Sequence, residues 1–252
     1  FMKVKIGWKE YVTLGLLNFL MMGLKFYGGI IGIVMSGVFG LTLIYQKKYK
    51  QGFYSFVLAT IGFGLATLLF YNPFNSLDGE SILTFRPLAT VHPIIEEAGL
   101  FFAPSVANLR NNLYAVGGSW RLVLIEVATL GLFIVFNWGT RVIGLWGIKR
   151  NPMDLILISG ILTGLLMNIL FTQRGEWWNT VQFLYYATFL TNIYAADVLA
   201  KLIENGRAVA ISIAVVIVLL TIPNAIDSYR IFASFPPHSY ISDTEMKTLE
   251  HL

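Results

Sequence analysis

One polar stretch, NPFNSLDGESILTFRPLATVHPIIEEAGLFFAPSVANLRNNLYAVGGSW (Asn72–Trp120), interrupts a sequence that is otherwise almost continuously apolar. Four acids, two arginines, one histidine and four prolines fall within it. The whole chain is 56% hydrophobic and 13% charged, whereas soluble domains carry roughly 45–50% apolar and about 25% charged residues. The apolar runs on either side therefore predict helices in a membrane, and the polar stretch predicts their main connecting loop.

Seven apolar runs are candidates for membrane crossings, each of which needs about 20 helical residues. They are Tyr11–Leu24, Phe26–Tyr45, Gly52–Tyr71, Leu122–Trp146, Met153–Phe171, Thr180–Leu199 and Ala208–Ile222. The first run is short, so it must borrow flanking residues such as Trp8, tilt, or cross only in part. The last must borrow a few residues beyond Pro223. The sequence thus predicts an all-α polytopic transmembrane bundle of about seven spans, with one long extracytoplasmic loop that contains short helices.

Local signals mark where two of these helices begin. Asn151, Pro152 and Asp154 supply a capping side chain, a proline for the first position and an acid for the first turn. This pattern predicts that the fifth span starts there. Gly28 and Gly29 stand where the first two spans meet, and we expect them to allow a tight reversal of the chain.

The few polar residues within the spans have simple structural interpretations. Glu126, near the outer boundary, is expected to pair with Arg121 or with an arginine of the loop. Asp197 and Lys201 stand four residues apart, so we expect an ion pair along one helix. Hydrogen bonds between helices account for the asparagines Asn18, Asn137, Asn168 and Asn192. No charged residue stands clearly at mid-membrane, which counts against a proton-coupled transporter.

The distribution of charge predicts the orientation. With a cytoplasmic N-terminus and seven crossings, eleven of the eighteen basic residues fall in short cytoplasmic segments. The positive-inside rule then places the long loop, the turn 172–179 and the C-terminal tail on the extracytoplasmic side. The net charge of +4 does not indicate nucleic acid as a partner, because there is no basic stripe with interleaved aromatics. The absence of cysteine excludes disulfides and thiolate chemistry.

The ends of the sequence suggest a division into two parts. Residues 1–230 are expected to form the transmembrane domain, and residues 231–252 the start of an extracytoplasmic C-terminal segment. Ser242 and Glu245 have the spacing of a capping box for a helix whose sequence then stops. We therefore expect a fragment of a longer protein that lacks material at both ends, with a complete small membrane protein as the alternative.

Eight residues of the predicted outer face are candidates for binding a substrate. They are Arg86, His92, Glu96, Glu97, Arg110, Arg174, Glu176 and Trp177. Arginine holds phosphate through two parallel hydrogen bonds, and a partly desolvated glutamate can act as a base. Tryptophan suits the face of a sugar or the head-group region of lipids. The sequence assigns no catalytic residue and no cofactor.

Several of these candidates also have a simpler, structural interpretation. Trp177 and its neighbour Trp178 suit an aromatic belt at the membrane interface. Glu96 and Glu97 are adjacent, so on a helix their side chains point about 100° apart. His92, before a proline, suits an ordinary loop position. No HExxH motif or histidine cluster is present, so nothing supports a metal site.

The segment 82–103 is expected to form short helices on the membrane surface.

Three stretches resemble the later spans of bacterial multi-pass GT-C-type glycosyltransferases. The first, RGEWWNTVQFLYYATFLTNIYAA (Arg174–Ala196), is a polar turn that enters an aromatic-rich span. The second, IPNAIDSYRIFASFPPHSYISDTEMKTLEHL (Ile222–Leu252), leads from the last span toward a soluble segment. The third is GLKFYGGIIGI (Gly23–Ile33). The likeness covers most of the chain as an architecture.

The resemblance implies an enzyme of the bacterial plasma (inner) membrane. Such enzymes take a sugar from a polyprenyl-phosphate carrier and transfer it to an acceptor on the extracytoplasmic face. Their catalytic acid usually lies in the first outer loop, and the matching segment here, Lys25–Gly29, has no acid. The resemblance therefore implies the later part of such a bundle, whose outer arginines would help to bind the phosphate of the lipid-linked sugar.

Two alternatives come from other classes. One is a transporter or flippase for a lipid-linked or amphiphilic substrate, which would line a continuous cavity with polar residues at mid-membrane. The other is a non-catalytic membrane subunit, whose outer face would have no cleft between the long loop and the 172–179 turn. Membrane lipids are partners in all three.

Overall fold

The computed structural model describes residues 7–71, 83–96, 104–117, 120–173 and 177–233. It divides into two compact units, Phe1–Ala196 and Asp197–Leu252. Most of the predicted C-terminal segment, residues 234–252, lies outside the described residues. The division at residue 230 therefore stays a prediction.

The described residues are almost entirely helical, which confirms the all-α class. In chain order the helices are α1 (Trp8–Leu24), α2 (Phe26–Tyr45), α3 (Tyr49–Tyr71), α4 (Val91–Glu96), α5 (Pro104–Ala115), α6 (Trp120–Trp138), α7 (Pro152–Leu170), α8 (Trp177–Glu204) and α9 (Ala208–Ala233). A 3-10 helix, Gly139–Gly147, continues α6. Two short strands that the sequence did not predict, β1 (Leu83–Phe85) and β2 (Phe171–Gln173), form an antiparallel pair.

Four helices are long and apolar enough to cross a membrane: α2, α3, α7, and α6 with its 3-10 extension. They contain 19 to 28 residues, and at about 1.5 Å per residue they match a hydrocarbon core roughly 30 Å thick. Large apolar side chains such as Leu65, Leu69 and Phe136 face outward from them. Such a surface is favourable against lipid and costly in water. The chain is an integral membrane protein, as predicted.

The other three predicted spans are also helices, but they differ from these four. Helix α1 has 17 residues and begins at Trp8, the flanking residue that the sequence indicated. Helix α8 has 28 residues and carries more polar side chains. The apolar part of α9 is the shorter segment Ala208–Ile222. Four helices among the described residues are therefore candidate spans, and the count of seven stays a prediction.

Small residues hold α3 against its neighbours. The buried residues of α3 are Gly52, Ser55, Ala59, Gly62 and Ala66. Their spacing of three and four places them on one face of the helix, and small residues on such a face let two helices approach closely in a membrane. At Gly62 a Cβ would lie 2.0 Å from the carbonyl oxygen of Gly15 in α1. The backbones of α1 and α3 therefore touch at this crossing.

The reversal between α1 and α2 occurs at Lys25, which has φ −153° and ψ 116°. Gly28 and Gly29 lie inside α2, so the expected reversal at the glycines is wrong. A Cβ on Gly29 would lie 2.7 Å from Cα of Met22 in α1. The glycine is required by the close approach of the two helices, which sequence spacing alone does not reveal.

Helix α7 begins as predicted. The side chain of Asn151 accepts a hydrogen bond from the backbone N–H of Asp154 at 3.0 Å, and Pro152 is the first helical residue. The Asp154 carboxylate accepts hydrogen bonds from the N–H groups of Asn151 and Lys149 and from the hydroxyl of Tyr194 in α8. Because this buried acid is fully hydrogen-bonded, it has a structural role at the start of α7.

In the second unit, Asp197 and Lys201 form the expected ion pair at positions four apart on the exposed surface of α8. Helix α8 ends at Glu204. Gly206 follows with φ +70°, a left-handed conformation that glycine adopts without steric cost. The chain then enters α9.

Candidate functional site

The described part of the polar stretch is attached to the end of α7. Strand β1 pairs with β2, which directly follows α7, and Thr84 stands opposite Thr172. The N–H of Arg86 extends the pairing with a hydrogen bond of 2.9 Å to the carbonyl of Leu170. Leu88 then turns the chain into α4 with φ 63°. A stretch that reads as a loop is therefore fixed to the bundle by main-chain hydrogen bonds.

Helix α4 packs into the bundle rather than lying on its surface. Val91 and Ile95 are fully buried. They belong to a hydrophobic cluster whose other members are Phe133 of α6, Ile169 of α7 and Leu184 of α8. Helix α4 thus turns its two buried residues into the core of the bundle, and a position at the membrane surface stays a prediction.

His92 of α4 is paired with Glu126 of α6. The distance from His92 Nε2 to Glu126 Oε2 is 2.7 Å, and the two side chains are only 22% and 16% exposed. The other carboxylate oxygen of Glu126 is buried without a hydrogen-bond partner. The expected partner of Glu126 was an arginine, and Arg121 instead lies over the ring of Trp120 at 5.8 Å.

Glu96 of α4 is paired with Arg110 of α5. Arg110 donates from Nε to Oε1 at 2.9 Å and from Nη2 to Oε2 at 2.6 Å. The hydrogen bond to Glu96 raises the pKa of the Arg110 guanidinium. Two parallel bonds of this kind are among the strong side-chain interactions in proteins. This pair holds α4 to α5 and neutralises the charge of Arg110, and a role of Arg110 in binding phosphate stays a prediction.

The remaining candidates are separate from these pairs or lie outside the described residues. Arg86 is exposed. Trp177 is half-buried at the start of α8, and its carbonyl oxygen accepts a hydrogen bond from Thr180 at 2.6 Å. Thr90, next to α4, lies 3.0 Å from the same Thr180 hydroxyl. The candidates outside the described residues are Glu97, Arg174 and Glu176.

The structure thus joins His92, Glu96 and Arg110, together with Glu126, through a histidine–glutamate hydrogen bond and a neighbouring arginine–glutamate ion pair across α4, α5 and α6. With two acids against an arginine and a histidine, the set has no excess of positive charge for an anion. In the described part of the chain, no group of three His, Asp or Glu side chains could hold a metal ion. The network fixes the described polar segment in place.

An open groove of about 720 Å³ lies between α1, α2, α7 and α8. Its lining is almost entirely apolar and includes Leu17, Met21, Met35, Phe39, Phe189 and Leu190. The volume falls in the range of roughly 300–1,000 Å³ that is typical of ligand sites. The α2 residues of the groove lie in the middle of a helix that is long and apolar enough to cross a membrane.

One polar pair interrupts the apolar lining. Asn18 of α1 donates from Nδ2 to the hydroxyl of Ser36 in α2 at 2.9 Å, and also to the carbonyl of Leu14. This is the hydrogen bond between helices that the sequence predicted for Asn18. The amide oxygen of Asn18 is buried without a partner. A second such asparagine, Asn168, is fully buried with neither amide atom bonded.

Comparison with known proteins gives no relative: no family model, no curated protein and no solved structure matches the chain. The function must therefore be argued from the residues. The glycosyltransferase resemblance stays a hypothesis.

Sequence reasoning missed the groove and the residues at its end nearest the polar stretch. Lys25 donates a hydrogen bond from Nζ to Oε1 of Gln182 in α8 at 3.2 Å. The sequence did single out Lys25, because it is the only charged residue between Tyr11 and Tyr45. Its partner stands more than 150 positions later in the chain, so only the fold reveals the pair.

Proposed function

We propose that the chain is part of an integral-membrane glycosyltransferase that takes a sugar from a polyprenyl-phosphate carrier on the extracytoplasmic face. The observation that carries this proposal is the apolar groove. A lipid-linked substrate needs a place for a long hydrocarbon chain at the height of the bilayer, and a soluble sugar donor does not.

The shape and lining of the groove suit one such chain. Exposed side chains at its rim, Leu17, Tyr185 and Phe189, leave it open along one side, so a lipid can enter sideways. Apolar surface that is removed from water contributes about 25 cal/mol per Å² to binding. Within a bilayer this term is small because lipid tails are also apolar, so the binding free energy comes mainly from close packing between the ligand and the groove. Methionine and aromatic side chains adapt well to an irregular methyl-branched chain.

The proposal includes the topology predicted from charge. In it, α1, α8 and α9 also cross the bacterial plasma membrane, which gives seven spans, and the segment 72–120 faces outward. The ion-paired segment with α4 and α5 then covers the outer end of the bundle. Arg86, Arg174, Glu176 and Trp177 remain the candidates for contacting the sugar or its acceptor there.

The binding step is tested by filling the groove. The purified protein in nanodiscs is crosslinked with a photoactivatable polyprenyl phosphate, and the labelled peptides are identified by mass spectrometry. We expect labels on α1, α2 and α8, and a loss of most of the labelling in Leu17→Trp. The matched control is Leu16→Trp, because Leu16 is equally exposed on α1 but lies outside the groove. Equal labelling of the two variants would contradict the proposal.

The transfer step needs a separate measurement. A polyprenyl-phosphate sugar with a radiolabel in the sugar is incubated with the protein and candidate acceptors, and water-soluble label is counted. Release or transfer of the sugar supports the enzyme. Binding without any release, combined with movement of the labelled lipid across a proteoliposome membrane, would instead favour a flippase, for which Asn18 and Ser36 would be the polar residues at mid-height.

A further inference from the structure

The end of the groove nearest the polar stretch carries a lysine, Lys25, that forms no ion pair with the described residues. Lys25 stands between α1 and α2, one helical turn beyond Met21, which lines the groove. Its side chain is exposed and bonds to the neutral Gln182. Among the residues that the structure describes, no carboxylate lies within 4 Å of its ammonium group.

Two neutral donors from α8 lie at the same level. Gln182 is one turn before Tyr185 and Tyr186, which both line the groove. Because its oxygen accepts from Lys25, its amide nitrogen remains as a donor. The hydroxyl of Tyr186 lies above the first turn of α2, where a Cβ on Gly28 would be 3.0 Å from it. Lys25 thus stands with an amide and a hydroxyl at the point where the apolar groove ends.

A groove with this polarity matches a molecule that is apolar along its length and anionic at one end. We propose that Lys25, Gln182 and Tyr186 bind the phosphate of a single-chain prenyl phosphate whose hydrocarbon tail occupies the groove. This inference rests on the proposed function and moves the phosphate site away from the outer arginines. Arg110 is already neutralised by Glu96, whereas Lys25 has no acidic partner among the residues that the structure describes.

The physical basis is charge complementarity at the edge of the bilayer. An ammonium group forms a charge-assisted hydrogen bond with phosphate, which is stronger than its bond to a neutral amide. Lys25 is exposed at the end of the groove, so its positive field is open to an anionic head group there. The positive end of α2, which starts immediately after Lys25, adds to the same field.

The test compares four probes on the purified chain in neutral-lipid nanodiscs: geranylgeranyl phosphate, geranylgeraniol, dioleoyl phosphatidic acid and inorganic phosphate. We expect the prenyl phosphate to bind roughly tenfold to a hundredfold more tightly than the prenol. Lys25→Gln should reduce this preference to near unity while binding of the prenol is retained, which also shows that the variant is folded. Lys25→Arg should keep most of the preference. Lys50→Gln, which changes an exposed lysine in the first turn of α3, should not alter it.

The outcomes separate this inference from the proposed function. If the wild-type protein binds the prenol and the prenyl phosphate equally, or if Lys25→Gln keeps the preference, the phosphate site is refuted while the groove stands. Equal binding of phosphatidic acid would refute the single-chain ligand, and equal binding of inorganic phosphate would refute the role of the tail. If neither prenyl compound binds, both the inference and the proposed function fail.

Discussion

Replacing Gly62 of α3 by alanine tests the packing on which the first three helices depend. The new Cβ would lie 2.0 Å from the carbonyl oxygen of Gly15 and 2.8 Å from its carbonyl carbon. In proteins, a Cβ atom essentially never comes within 3.0 Å of a heavy atom from a residue that is distant along the chain. Both obstacles are backbone atoms, which cannot rotate away as a side chain can. Helices α1 and α3 must therefore separate by about 1 Å at the crossing.

The cost follows from the contacts that the separation weakens. A gap of 0.5–1 Å forfeits a quarter to a half of each dispersion contact, and each contact contributes about 0.1–0.2 kcal/mol. For roughly 40 contacts, the number that one buried leucine makes, the loss is about 1–4 kcal/mol. Overpacking in other cores costs about 1–3 kcal/mol, which agrees with this value.

The measurement is the free energy of unfolding of the purified protein in a titration of mild detergent with SDS, followed by circular dichroism. The control is Gly64→Ala, two residues along the same helix, where a Cβ would meet nothing within 4 Å. Both variants gain the helix propensity of alanine, up to about 1 kcal/mol, so their difference isolates the clash. If Gly62→Ala is as stable as Gly64→Ala, the close crossing of α1 and α3 is refuted.

Three further predictions concern a helix end, an ion pair and the topology. Asn151→Ala removes the cap of α7 and should cost about 1 kcal/mol in the same titration; no change would contradict the capping role. Arg110→Met leaves the Glu96 carboxylate partly buried and unpaired, at a cost of about 1.5–3 kcal/mol in the free energy of unfolding. Adding Glu96→Gln to this variant should recover part of that loss. If the losses of the two single variants simply add, the two side chains are not energetically coupled and the prediction is wrong. A cysteine that replaces Asn112 should react with a membrane-impermeant thiol reagent in intact cells, and a cysteine that replaces Lys50 should not. The sequence contains no native cysteine that could react instead. The reverse pattern would overturn the proposed orientation.

The sequence predicted the helices well because a membrane makes apolarity and length decisive. The second span, Phe26–Tyr45, has the predicted ends, since charged or polar residues flank an uninterrupted apolar run. The start at Asn151 followed from capping chemistry that acts within one turn. Conversely, the pairing of β1 with β2 joins strands more than 80 residues apart. Such a contact leaves no local pattern, and three-residue strands have too few positions to show alternation.

The candidate site was predicted less completely. The chemistry-bearing residues of α4 were recognised by type, but His92 and Glu96 turned out to be paired with Glu126 and Arg110. Residue type indicates what a side chain can do, and its partners decide whether it is free to do so. The groove escaped notice because its lining consists of the same leucines, methionines and aromatics that face lipid elsewhere.

By itself, then, the sequence determined that this is an integral membrane protein built of helices, and where most of those helices begin and end. These properties depend on solvent preference and on hydrogen bonds within a few residues, which act on each segment separately. The tertiary structure alone decided that Gly15 meets Gly62, that Glu126 takes a histidine as its partner, and that Lys25 reaches Gln182 at the end of an apolar groove. Each of these depends on two distant segments arriving at one place, and the energy that brings them together comes from the packing of the whole bundle.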